Sequence, residues 1–210
     1  GVTGVQTCAL PICPDLGGNP YLLFLGRIHP KKGVDLLIRA YAEVLKNEKL
    51  KSYPLHLVIA GPGWDTGYGK QMRALIDTAN AEIFSENLPR IHAVGMLQGD
   101  AKWGALHGCE AFILPSHQEN FGIVVAEALA CNKPVFITNK VNIWREIENC
   151  NAGLVLNDNI EDIKKGVDFF GNLSYRNNKV FSKNPLECYK RFFRISDYAR
   201  AFHAALLRNT

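Results

Sequence analysis

The feature that most constrains this fold is the alternation of short apolar runs with helical patterns from residue 20 onward. The apolar runs predict buried strands at 21–25, 55–60, 90–94, 111–114, 134–138 and 153–156. The segment 34–46 places apolar residues on one face of a helix, and further helices are predicted at 69–84, 100–107, 122–131 and 143–148. Strands that alternate with helices form parallel sheets through right-handed crossovers. We therefore predict an α/β fold with one open, doubly wound parallel sheet of about six strands.

The remainder of the chain is consistent with one domain and a helical tail. The 210 residues, 47% of them hydrophobic, are enough for one full core. The tail from residue 159 is more polar and predicts helices, with a loop over 172–178 and a final amphipathic helix near 195–208. No apolar run approaches the ~20 residues that a membrane span needs. The six cysteines lack CxxC or metal-ligand spacing, and four lie in or beside apolar segments, so we expect reduced, buried thiols in a cytoplasmic protein.

Charge gives little indication of a macromolecular partner. The net charge is +4, and the densest basic runs are the pairs at 31–32 and 164–165. Nucleic-acid binders usually carry longer basic runs, so no nucleic-acid partner is expected. A weak attraction to anionic ligands or membrane surfaces stays open.

Ligands of open parallel sheets bind beyond the carboxyl ends of the strands, which here are the loops 26–33, 61–67, 94–99 and 115–122. In the first of these, GRIHPKKG, Arg27 and Lys32 lie where a helix N-terminus already favours an anion. A guanidinium and an ammonium group suit phosphate oxygens, so a diphosphate ligand fits better than a plain basic surface. The spacing is neither that of a P-loop nor that of the dinucleotide-binding GxGxxG.

The loop at 115–122 runs into an apolar helix and carries two carboxylates. Glu119 lies in the loop and Glu127 follows eight residues later on the first turns of the helix. Paired carboxylates near a sugar accept hydrogen bonds from its hydroxyls. The backbone amides of Asn120, Phe121, Gly122 and Ile123 can hold an anion. The alternative is a helix start with two solvated glutamates, which the apolar residues around them disfavour. His29, His92, His107 and His117 are interpreted as packed or solvated residues rather than as general bases.

Three segments together resemble glycosyltransferase family 4, whose members are retaining enzymes of the GT-B fold. They are LFLGRIHPKKGVDLLI at 23–38, LVIAGPG at 57–63 and FILPSHQENFGIVVAEALACNKPV at 112–135, where Glu119 and Glu127 match the family's Glu-x7-Glu pair. The segment 139–147 also resembles a variant loop of some bacterial members. The resemblance implies one Rossmann-like half of a GT-B enzyme, the C-terminal donor-binding domain. Lipopolysaccharide, exopolysaccharide and other cell-envelope glycans are typical products of the family.

The family's roles pass to matching positions of this chain. By resemblance, Arg27 and Lys32 hold the donor diphosphate, and Glu119 positions the transferred sugar through its hydroxyls. Asn120, Phe121, Gly122 and Ile123 offer backbone amides, Glu127 binds the ribose, and residues 94–97 lie against the base. Two departures bear on these roles. Asn132 replaces a turn glycine. Because asparagine tolerates the left-handed conformation that a turn can need, we expect the turn to form. Val141 and Asn142 replace a glycine pair, which weakens any ligand assignment there.

The expected co-substrate is a nucleotide diphosphate sugar, without a cofactor or metal ion. The full-length enzyme is expected in the cytoplasm, and a location at the inner face of the membrane stays open.

Residues 1–13 resemble a translated sequencing adaptor, because 5–12 follow its codons directly. This leaves 14–210 as the donor domain. The N-terminal acceptor domain is then expected upstream. Two alternatives are a standalone nucleotide-sugar-binding module completed by a partner chain, and a related epimerase or phosphorylase. The glutamate pair and the loop with Arg27 and Lys32 disfavour the latter.

Overall fold

The computed structural model describes residues 16–46, 55–83, 90–172 and 180–194. The strands are β1 (Tyr21–Leu25), β2 (His56–Ala60), β3 (Ile91–Val94), β4 (Ala111–Leu114), β5 (Val135–Thr138) and β6 (Gly153–Leu156). The helices are α1 (Val34–Leu45), α2 (Gly67–Ile83), α3 (Gly99–Gly108), α4 (Ile123–Ala130), α5 (Trp144–Asn149), α6 (Ile160–Asn172) and α7 (Asn184–Phe192). A short 3-10 turn, Pro30–Lys32, precedes α1.

The six strands form one sheet in the order β3-β2-β1-β4-β5-β6, and every neighbouring pair is parallel. The central strand β1 pairs with β2 on one side and with β4 on the other, so that Leu23 lies opposite both Val58 and Phe112. The chain therefore builds outward from β1 in one direction, then returns and builds outward in the other. This doubly wound order confirms the predicted fold class.

The core lies on both faces of the sheet. Phe24, Phe112 and Phe136 are fully buried on three central strands, as expected of parallel strands covered by helices. The apolar stripe of α1 packs toward α2 and α6, with Tyr41 buried and donating its hydroxyl hydrogen to the Leu55 carbonyl at 2.5 Å. Full burial of each such side chain contributes about 1.5–3 kcal/mol. These contacts hold the strand ends, and hence the loops beyond them, in fixed positions.

The predicted turn at Asn132 forms as expected. Asn132 adopts the left-handed conformation with φ 55°, and its side-chain oxygen accepts a hydrogen bond from the Leu186 N–H at 3.2 Å. The turn therefore also anchors α7, which packs on α4 and α5. This helix lies within the tail predicted to be helical. The predicted loop at 172–178 and the final helix at 195–208 lie almost wholly outside the described residues.

The four described cysteines are free thiols, in agreement with the sequence prediction. Cys109, Cys131 and Cys188 are buried, while Cys150 is half-buried. Burial raises the pKa of the Cys109 thiol to about 12, which keeps it protonated and unreactive at neutral pH. In the described part of the chain, no helix combines the length and the apolar character required to cross a membrane.

Candidate functional site

The direction of winding reverses between β1 and β4, which lie side by side at the centre of the sheet. The loops that leave their carboxyl ends, 26–33 and 115–122, turn into helices on either side. Such a switch point opens a crevice at the edge of an open α/β sheet, and ligands bind there. Three of the four charged candidate residues, Arg27, Lys32 and Glu119, lie in these two loops, and Glu127 follows on α4.

The loop after β1 is fixed by its own backbone and by the loop after β2. The Gly26 N–H donates to the Ala60 carbonyl at 3.0 Å, and the Ile28 N–H donates to the Pro62 carbonyl at 2.8 Å. His29 caps the 3-10 turn, since its Nδ1 accepts a hydrogen bond from the Lys31 N–H at 3.2 Å. The turn brings Lys32 to the mouth of the crevice directly before α1. From the sequence we interpreted His29 as a packed or solvated residue and not as a general base. In the structure its ring caps the turn, which is a structural role.

The two central loops touch at Gly33. This residue has φ 64°, and a Cβ atom placed on it would lie 2.1 Å from the Pro115 carbonyl oxygen. Nearby, the His117 N–H donates to the Lys31 carbonyl at 2.9 Å. The loops after β1 and β4 therefore form one rigid unit, and only glycine fits at their closest approach.

Lys32 and Glu119 meet across this unit. The Lys32 Nζ and a carboxylate oxygen of Glu119 form an ion pair, and the two side chains are only 20% and 19% exposed. Both belong to the lining of a pocket of about 400 Å³, together with Leu25, Gly26, Leu114, Asn120, Phe121, Gly122, Ile123 and Val124. The structure thus brings six of the eight predicted site residues to one cavity. Arg27 and Glu127 are not among the described residues that line it.

Arg27 is exposed in the loop after β1, next to residues that line the pocket. Phe121 is also exposed, and its ring meets the ring of Phe193 edge-on at 5.9 Å between centroids. Gly122 has φ 70° and caps the N-terminus of α4. A left-handed residue cannot continue a right-handed helix, so α4 begins at Ile123, one residue later than predicted.

Glu127 has a partner that sequence reasoning missed. Lys102 on α3 places its Nζ 2.7 Å from the Glu127 Oε1. The other carboxylate oxygen, Oε2, is buried and has no hydrogen-bond partner in the described structure. The Lys102 ammonium also lies over the indole ring of Trp103, 4.7 Å from its centroid. The carboxylate is thereby held by one oxygen, while the other keeps its capacity to accept a hydrogen bond.

The loop after β5 holds the backbone of Glu119 in place through hydrogen bonds. The Glu119 N–H donates to the Lys140 carbonyl and the Asn142 N–H donates to the Glu119 carbonyl, both at 3.0 Å. Val141, which is fully buried, pairs with Glu119 in an isolated parallel bridge. The loop that carries Val141 and Asn142 therefore positions the backbone of Glu119.

His117 also joins loops, two residues before Glu119. Its Nδ1 lies 2.6 Å from the Asp158 Oδ1 in the loop after β6.

The loop after β3, where the nucleotide base was expected, is held by the Trp64 indole N–H, which donates to the Val94 carbonyl at 2.8 Å. Met96 in that loop is 60% exposed. Within the described residues, no group of three or more His, Cys, Asp or Glu side chains is arranged to hold a metal ion.

A doubly wound parallel sheet with a cation and a carboxylate paired across the loops at its switch point is a Rossmann-like domain with a candidate ligand site. The family model described as "Glycosyl transferases group 1" matches residues 15–184, and the chain belongs to this family.

Individual relatives agree with this membership. The chain is 36% identical over 114 residues to a D-inositol 3-phosphate glycosyltransferase of Frankia alni, a match that covers 54% of this chain and 27% of the relative. It is 28% identical over 178 residues to an uncharacterized glycosyltransferase of Methanocaldococcus jannaschii, covering 84% of this chain and 45% of that protein. The chain thus spans between about a quarter and a half of the length of these relatives.

The fold is similar to that of HepE from Anabaena, solved in complex with UDP and glucose. The superposition has a TM-score of 0.78 at 18% identity and covers 98% of this chain and 53% of HepE. At this identity the likeness establishes the shared fold.

Proposed function

We propose that this chain is the donor-binding part of a retaining glycosyltransferase that transfers a sugar from a nucleotide diphosphate sugar to a glycan or lipid-linked acceptor. The observation that carries the proposal is the placement of Lys32 and Glu119 together at the switch-point pocket. One supplies the charge that a diphosphate needs, and the other supplies an acceptor for sugar hydroxyls. Membership of the glycosyl transferases group 1 family supports the same reaction.

The donor is proposed to span the crevice between the two central loops. Lys32 and the exposed Arg27 bind the diphosphate from the β1 side. The first N–H groups of α4 have no partners within the helix, so the amides of residues 120–123 bind a phosphate or sugar oxygen from the β4 side. Glu119 accepts hydroxyl hydrogen bonds from the sugar. The unpartnered Oε2 of Glu127 accepts one from the ribose.

The proposed chemistry needs charge stabilisation more than proton transfer by the protein. The bond between the anomeric carbon and the phosphate oxygen breaks, and its electron pair leaves with the diphosphate. The acceptor hydroxyl oxygen forms the new bond to the anomeric carbon, and its proton passes to the departing phosphate. Lys32 and the amides near the start of α4 stabilise the negative charge that develops on the leaving group.

The acceptor site is proposed to lie on a further domain of the full-length protein, as in a two-domain GT-B enzyme. The limited share of the relatives that this chain spans supports this arrangement. Among similar structures, HepE was solved with UDP and glucose, which supports a uridine nucleotide as the first donor to test.

The proposal is tested by thermal-shift titration of the purified chain with UDP, GDP and ADP, with their common sugar conjugates and with the corresponding nucleosides. A ligand that binds the folded state raises its stability by about 2.7 kcal/mol at one hundred times its Kd. We expect a shift for one base, lost in Lys32→Ala for the diphosphate and the sugar conjugate but retained for the nucleoside. The proposal fails if the folded chain responds to none of the nucleotides, or if Lys32→Ala weakens all three ligand classes equally.

A further inference from the structure

The Lys32–Glu119 ion pair has a consequence for which ligands the pocket accepts. Both side chains are about four-fifths buried, so each charge is largely removed from water and is neutralised by the other. Their backbones cannot separate easily. Lys32 precedes Gly33, which presses against Pro115, and Glu119 is bonded on both sides to the loop after β5. Any ligand that uses these residues must therefore act by rearranging the two side chains.

A bare diphosphate meets an unfavourable exchange here. Its oxygens compete with the Glu119 carboxylate for the Lys32 ammonium, and the carboxylate, which is about four-fifths buried, then loses its cation. A charge left unpaired in such a place is destabilising, and the carboxylate also repels the phosphate beside it. Glu119 therefore weakens the binding of a nucleoside diphosphate that carries no sugar.

A sugar conjugate of the same nucleotide meets no such penalty. Its hydroxyls donate hydrogen bonds to Glu119 and replace the contact that Lys32 gives up to the phosphate. Hydrogen bonds to a charged acceptor are among the stronger ones in proteins, so the exchange becomes favourable. The state of the Glu119 carboxylate thus depends on whether a sugar is attached to the diphosphate.

We propose that the Lys32–Glu119 ion pair discriminates between the sugar-bearing donor and the bare nucleoside diphosphate product. This inference rests on the proposed function. When the sugar has been transferred, Glu119 loses its hydroxyl partners and competes with the product for Lys32, and re-formation of the ion pair favours product release. Glu119 is in this sense a specificity residue whose negative charge matters as well as its hydrogen bonds.

The test is isothermal titration calorimetry of wild-type and Glu119→Gln chains with UDP and UDP-glucose, and with the corresponding GDP and ADP pairs. Glutamine keeps the shape and the carbonyl acceptor but removes the charge. We expect the bare diphosphate to bind about tenfold more tightly to Glu119→Gln. This gain corresponds to the free energy of an ion pair that is neither fully exposed nor fully buried. The sugar conjugate should bind no more tightly than to the wild-type chain, so the preference for it falls. Glu187→Gln, which breaks the surface pair with Lys190, is the matched charge control and should change neither affinity.

A second variant tests whether the effect passes through Lys32. In a Lys32→Met background, Glu119→Gln should improve diphosphate binding by less than it does in the wild-type background, because no ammonium remains to be released and only the direct repulsion of the phosphate is relieved. A full gain in that background, or no gain in the wild-type background while the donor still binds, overturns the inference and leaves the proposed function intact. If neither the wild-type chain nor any variant binds a nucleotide or its sugar conjugate, the proposed function itself fails and the inference fails with it.

Discussion

The Lys102 ammonium lies 2.7 Å from one oxygen of the Glu127 carboxylate, while the other oxygen is buried without a hydrogen-bond partner in the described structure. This asymmetry restricts the carboxylate to one orientation. It also accounts for a lysine that no motif had singled out, since Lys102 lies 25 residues before Glu127 and on a different helix. The lysine therefore fixes the carboxylate that we propose as an acceptor for a ligand hydroxyl.

Removal of either member should therefore weaken the same binding event. Glu127→Ala is expected to weaken nucleoside diphosphate binding by about 1–3 kcal/mol, the range for a hydrogen bond to a charged group. Lys102→Met should lower the same affinity by about tenfold, since Glu127 is left unpaired and free to change rotamer. Calorimetry of the two single variants and the double variant measures the coupling. Fully additive losses would contradict a shared role, and Lys70→Met on the exposed surface of α2 serves as the control.

The contact between Gly33 and Pro115 predicts a stability effect. Gly33→Ala forces a Cβ atom against the Pro115 carbonyl and puts an alanine at φ 64°. We expect a loss of about 2–4 kcal/mol in the free energy of unfolding, measured from urea midpoints. Gly104→Ala, in α3 with no atom within 4 Å of the added carbon, is the control. It should be neutral or slightly stabilising because alanine favours helices. Equal behaviour of the two variants would argue against a rigid junction between the loops.

The fold could be predicted from sequence because each strand carries its own signal. β1 is fully buried on both faces, so its five apolar residues form an unbroken run that ends at Gly26. The parallel direction of the strands then followed from the helices between them, while their order in the sheet comes from the structure. Boundaries were less accurate where a single backbone conformation decides them. Gly122 illustrates this, because its positive φ excludes it from α4 and the apolar pattern does not predict that conformation.

The site could be predicted only to the level of loops. Lys32 and Glu119 are 87 residues apart, and the sequence places their loops at one edge of the sheet without pairing their side chains. The support of Glu119 by Lys140 and Asn142 depends on backbone groups, which every residue type carries. Such contacts leave no trace in residue identity. The assignment of Arg27 to the diphosphate stays a prediction, since its exposed side chain is not part of the pocket lining.

Asn132 allows backbone conformation and side-chain bonding to be separated. Asn132→Gly keeps access to φ 55° but loses the bond to the Leu186 N–H, whereas Asn132→Ala loses both. Thermal unfolding should show the alanine variant less stable than the glycine variant by about 1 kcal/mol, the usual penalty of left-handed backbone for a residue with a Cβ atom. The reverse order would contradict a backbone penalty at this position, while the stability lost by the glycine variant relative to the wild type measures the side-chain bond to α7.

The last prediction concerns a buried histidine pair at the start of β2 and β3. His56 Nδ1 and His92 Nε2 are 2.8 Å apart, so one ring must donate a proton and the other must accept it. Burial, together with the neighbouring His92 and Arg90, lowers the pKa of His56 from 6.5 to about 4. Between these values the unfolded chain binds more protons than the folded chain. Stability must therefore fall as the pH drops from about 6.5 to about 4.

A pKa that moves this far corresponds to about 3 kcal/mol lost on full protonation. Urea unfolding at about pH 7.5, 6.0, 5.0 and 4.5 should show this loss of stability in the wild-type chain, because these values cover most of the range between the two pKa values of His56. His56→Leu should flatten it, because that variant has no proton to gain at position 56. His107→Gln, which removes an exposed histidine, should retain the wild-type slope. A His56→Leu chain with the same pH dependence as the wild type would show that acid sensitivity arises from carboxylates instead of this histidine.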